Sequence, residues 1–103
     1  MFALIAAVAL TAGSLPPRQL RAGIQNKLDE QLLDGASARF KWLPLKNSKG
    51  FYCGLLNAKN YLGAYTGFKP FLAEFDPKTL KVKSVRAWED GKENVVITAI
   101  CGV

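Results

Sequence analysis

The spacing of apolar residues changes once along this chain, at Asp34–Gly35. Before that point Leu20, Ile24, Leu28 and Leu32 recur every four positions. Such spacing lays a single apolar stripe along a helix over residues 17–33. Arg18, Arg21, Lys27, Asp29 and Glu30 fall largely off the stripe. Pro16 and Pro17 stop whatever precedes them and set the helix start, because proline's fixed φ suits a first turn that has no use for its N–H. Gly35 suits the left-handed conformation that ends helices. A narrow stripe of this kind packs on a sheet.

After Gly35 the pattern is that of strands: residues 39–46, 51–56, 67–75, 80–88 and 95–101. Aromatic and β-branched residues dominate these runs, and turn clusters at 47–50, 76–78 and 89–94 separate several of them. Pro44 and Pro70 argue for edges or bulges, since proline cannot donate to a ladder. Short turns between successive strands imply antiparallel pairing. The expected fold is therefore α+β, one N-terminal helix packed on an antiparallel meander of about four to five strands.

Residues 2–10 read FALIAAVAL, wholly apolar and uncharged, and small residues follow at Ala12, Gly13 and Ser14. That is the outline of a secretory signal, and it is too short to span a bilayer comfortably. No Lys or Arg precedes the run, so an ordinary first helix or strand is the competing reading. We expect a signal peptide over 1–14, one α+β domain over 15–103, a periplasmic or secreted location and no transmembrane span in the mature form. At 103 residues the chain suits one domain, and half of it is hydrophobic, which supports a packed core.

The only two cysteines are Cys53 and Cys101, each followed by glycine. In an exported protein a lone pair is usually a disulfide. Closing a loop of roughly fifty residues stabilises a fold by about 4 kcal/mol in the chain-entropy account. The alternative is a reactive thiol, but the sequence contains no histidine to activate one. The absence of histidine also removes the commonest general base and neutral metal ligand. No catalytic set, metal site or cofactor is expected. Glu74 and Asp76 stand two apart on a strand, as a glycosidase pair could, but they abut a turn.

Residues 53–71, CGLLNAKNYLGAYTGFKPF, are the least generic part of the chain. Asn57, Asn60 and Gly63 break the strand pattern, and Tyr61, Tyr65, Phe68 and Phe71 are interleaved with them. This segment resembles a signature of small, uncharacterised bacterial exported and lipoprotein-like proteins, roughly C-G-x-x-N-A-K-N-x-x-G-x-Y-x-G-x-x-x-F. The matching residues are Cys53, Gly54, Asn57, Ala58, Lys59, Asn60, Gly63, Tyr65, Gly67 and Phe71. The stretch from Asp34 to Phe40 looks like a second element of those proteins, Asp-Pro-x-Ser-Ala-x-Phe, with Gly35 in place of proline. The resemblance spans roughly residues 28–75 and implies export and this order of elements. It implies no activity, and the lipid-attachment cysteine common in that group has no counterpart here.

Two readings of the segment stand side by side. Asparagine, glycine and aromatics are ordinary materials of tight loops and cores. Alternatively Asn57, Lys59, Asn60, Tyr61 and Tyr65 form a recognition loop, with amides and ring edges suited to sugars or peptides. A net charge of +6 favours anionic partners, but the basic residues are scattered along the sequence, and a charge that simply keeps a small protein soluble is the leading reading of it. The leading expectation is a non-catalytic envelope binding module for an anionic or glycan-containing component or a protein partner. An inhibitor or accessory subunit of an envelope complex is the alternative. A glycan-active enzyme is disfavoured, and so is a nucleic-acid-binding sheet, because export removes most nucleic acid. If the disulfide fixes the recognition loop, reduction should loosen residues 57–68 before the N-terminal helix melts.

Overall fold

A computed structural model describes residues 13–32, 35–46 and 49–102. Residues 1–12 of the expected signal peptide, Asp34 of the helix stop and Asn47–Ser48 of the first turn lie outside the described residues. Helix α1 spans Arg18–Asp29, with Pro17 as its N-cap residue. Leu20, Ile24 and Leu28 are buried, and Leu32 packs against the same core just past the helix end. The Gly13 N–H donates to the Leu45 carbonyl, and the Leu45 N–H donates to the Ser14 carbonyl.

A four-stranded antiparallel meander follows: β1 Arg39–Lys41, β2 Phe51–Asn57, β3 Lys69–Phe75 and β4 Val82–Ala87, in that spatial order. Side chains alternate between the faces of a strand. Tyr52 and Leu56 of β2 therefore join Phe71, Ala73 and Phe75 of β3 and Val85 of β4 in the core against α1. The stripe read from the sequence is the stripe that packs on the sheet. α1 lies closest to β4, where a Cβ on Gly23 would come within 2.8 Å of Val82 Cγ2. A bulge between Glu74 and Phe75 shifts the β3–β4 register, so that Phe75 meets Val82. Between them Leu80 takes a left-handed φ of 64°, which is costly for a branched side chain but swings that side chain into the core.

The last β-branched run does not add a strand. Val95–Cys101 forms a second helix, α2. Its buried residues are Ile97 and Cys101, four apart on one helical face. Gly102 closes it in the left-handed conformation, its N–H donating to the Thr98 carbonyl. Strand propensity loses here to packing: a one-turn spacing buries Ile97 and Cys101 together on Leu72 and Cys53. α2 covers the face of the sheet opposite α1, on Leu72 and Cys53 with Trp88 beside them. The fold is thus α+β with a helix on each face of a four-stranded sheet. Cys53 and Cys101 form a disulfide across a Cα–Cα distance of 5.8 Å, tying β2 to α2.

Candidate functional site

The signature segment leaves β2 and returns into β3 as a small hairpin. Its arms are bridged at Lys59 and Tyr65. The Asn60 N–H donates to the Ala64 carbonyl, and the Gly63 N–H donates to the Asn60 carbonyl. Asn60 Oδ1 accepts the N–H groups of Leu62 (2.9 Å) and Ala64 (3.1 Å). Asn57 Oδ1 accepts the Gly67 N–H at 3.0 Å. Both side-chain oxygens are therefore engaged in holding the hairpin, as asparagine does in tight turns. At the tip Tyr61 and Leu62 are 83% and 74% exposed, so two large side chains project with little of their own chain around them.

Below the tip the hairpin meets β1. The Tyr65 hydroxyl donates to the Ser37 carbonyl at 2.8 Å, which fixes the ring. The Arg39 guanidinium lies 4.3 Å from the centre of that ring, and Lys59 Nζ lies 5.5 Å from it. Lys41 Nζ stands 4.4 Å from the centre of the Phe68 ring. Arg39 pairs with Asn57 and Lys41 with Leu55 across the β1–β2 ladder, so both project on the α2 side of the sheet. Of the five residues expected at this site, Lys59 and Tyr65 enter the strip. Asn57 and Asn60 build the hairpin, and Tyr61 stands at its tip. Arg39, Lys41 and Phe68 were not singled out from the sequence. The signal for the two cations was there in their i, i+2 spacing around Phe40 on a short edge strand.

The strip is positive, and among the described residues no carboxylate pairs with it. Among the described residues the ion pairs are Lys69–Asp90 and Lys92–Glu89, and neither involves Arg39, Lys41 or Lys59. Each of the three is held instead by an aromatic face, an attraction that leaves its charge in place.

Other polar groups serve the fold. Asp76 caps the β3–β4 turn, its Oδ1 accepting the Lys78 N–H at 2.8 Å and the Thr79 N–H at 3.4 Å. The Lys78 bond holds its carboxyl below the usual range. Glu74 lies in β3, so the two carboxylates are divided between a strand and a turn. Tyr52 donates its hydroxyl to the Leu43 carbonyl at 2.7 Å, and burial pushes the phenol up to about 12. Among the described residues no three His, Cys, Asp or Glu side chains gather as a metal site would need. No described helix is long and apolar enough to cross a membrane.

No protein-family model matches this chain, and no curated protein or solved structure matches it either.

Proposed function

We propose that this protein is an exported, non-catalytic binding module that takes an anionic envelope component on the strip of Arg39, Lys41, Lys59, Tyr65 and Phe68. The observation that carries this reading is three cations held over two rings on one edge of the sheet, with no carboxylate partner among the described residues. Ring contacts pre-position the cations, so less side-chain freedom is lost when an anion binds. Arg39 offers a planar fork to a phosphate or carboxylate, and the lysines add point charges. Tyr61 supplies an exposed ring on which a sugar can stack. Export rests on the apolar N-terminal run and on the cysteine pair, which suits an oxidising compartment.

Titration against lipopolysaccharide and an anionic wall polymer, with a neutral glucan as control, tests the reading. Binding is expected to weaken as salt rises and to fall at least roughly tenfold when Arg39, Lys41 and Lys59 are all changed to alanine. Unchanged affinity in that triple variant rejects the strip. A second reading, an inhibitor or accessory subunit, is favoured by the exposure of Tyr61 and Leu62 at the tip. It requires a protein partner whose capture from envelope extract is lost on Tyr61→Ser with Leu62→Ser and kept in the triple alanine variant.

A further inference from the structure

We infer that α2 and the start of β2 form a second docking face, which lays the protein on an anionic phospholipid bilayer. α2 reads VVITAIC, and only Ile97 and Cys101 of it are buried. Val96 and Ile100 are each 41% exposed and Phe51 of β2 is 39% exposed. These three side chains line one shallow hollow of about 210 Å³, together with Leu72, Glu74, Ser84 and Arg86. Phe51 and Ile100 also line a neighbouring hollow of about 150 Å³, whose other walls include Lys46 and Lys49. The apolar ridge therefore runs between cations on both sides, Lys46 and Lys49 on one and Arg86 on the other, and among the described residues Glu74 is the one carboxylate lining these hollows.

The cationic rim decides what covers the ridge. A bilayer of anionic lipid offers phosphates to the lysines and arginine at the headgroup level and acyl chains to Phe51, Val96 and Ile100 just below. A second copy of this chain would bring the same three cations against one another. It would also have to build on three partly exposed side chains, whereas stable interfaces bury about 800 Å² on each partner. The fold fixes one of these cations beside the ridge. Lys46 Nζ donates to the Cys101 carbonyl at 3.0 Å, at the C-terminus of α2, and the Cys53–Cys101 disulfide pins that same helix end to β2. This face uses none of the residues of the Arg39–Lys41–Lys59 strip, and its partner is a lipid surface and not a polymer.

Co-sedimentation with vesicles tests it, using the full-length protein with its disulfide intact. Vesicles of phosphatidylcholine alone are compared with vesicles of equal parts phosphatidylcholine and phosphatidylglycerol. Binding to the mixed vesicles should exceed binding to the neutral ones by roughly fivefold for each cation near the surface, and should fall in high salt. Val96→Ala with Ile100→Ala keeps α2, since alanine is the better helix former, and should weaken vesicle binding roughly tenfold or more. Phe51→Ser tests the same ridge from β2, so loss in only one of the two variants through misfolding is recognised by thermal melting. Polymer binding by the strip should be unchanged in both variants, which separates this inference from the preceding one. No sedimentation with anionic vesicles, equal sedimentation with neutral ones, or a dimer in ultracentrifugation that the paired alanines abolish would each overturn it.

Discussion

A methyl group on Gly54 would lie 2.6 Å from Phe71 Cζ and 3.0 Å from Tyr52 Cε2. Both rings are buried, and Phe71 also meets Phe40 and Trp42 edge-on. The glycine lets two large rings share the centre of β2 and β3. Gly54→Ala is therefore expected to destabilise the fold by about 1–3 kcal/mol through overpacking, read as a lower urea midpoint. Tyr52, one of those rings, ties its burial to pH. Its folded-state phenol is raised from 10.0 to about 12, so the fold favours the neutral form. That contribution is fully present below pH 10 and is lost as pH rises towards about 12. Alkaline unfolding should start above pH 10, and Tyr52→Phe should remove the tyrosine absorbance step near 12. At this scale the sequence marks Gly54, Asn57 and Asn60 as unusual but cannot say why. Gly54's reason is a ring brought from the next strand, and Asn60's is a turn closed by its own amide. The two look alike until the strands are paired.

Elements were readable where period and burial agree. In α1 the four-residue stripe and the proline start both point to a helix; β2 alternates cleanly, and β3 and β4 are bounded by turn signals that place them within a few residues. α2 defeats the same reasoning because Val95, Val96 and Ile97 carry strand propensity, and seven residues are too few for a period to override it. The two residues that do reveal its helical spacing, Ile97 and Cys101, become informative only once Leu72 and Cys53 are seen beneath them. This changes what the disulfide does. It joins β2 to α2, so the short helix, which buries only two residues, depends on it most. We expect mild reduction of the native protein to speed amide exchange at Ile97–Gly102 first, with the α1 amides following only on global unfolding. The hairpin at 58–68 has its own asparagine bonds and the Tyr65–Ser37 bond, so its exchange should change less than that of α2. If hairpin exchange accelerates ahead of α2, the bond's main role lies with the loop.

For the whole molecule, the composition fixes a charge of +6 but not where that charge acts. The sheet divides the two sides. One side is closed by α1 over an aromatic and aliphatic core, and the other carries Arg39, Lys41, Lys46 and Arg86 around α2. Only the pairing register tells that Arg39 and Lys41 share a face with Cys53, while Arg18, Arg21 and Lys27 belong to α1 on the other side of the sheet. A charge that merely keeps a protein soluble acts through its total, whereas a binding surface acts through position, because attraction is screened beyond about 8–10 Å. Two variants with identical net charge separate these cases: Arg39→Glu with Lys41→Glu, and Lys78→Glu with Lys81→Glu at the β3–β4 turn. All four positions are exposed, so both pairs should leave the melting temperature close to that of the parent. On an immobilised polyanion the β1 pair should elute at clearly lower salt than the turn pair. It should also flatten the dependence of affinity on salt, since fewer cations then sit within reach of the bound anions. Equal elution of the two variants would mean that the charge works only in bulk and that the placing of Arg39 and Lys41 on the edge strand has no part in binding.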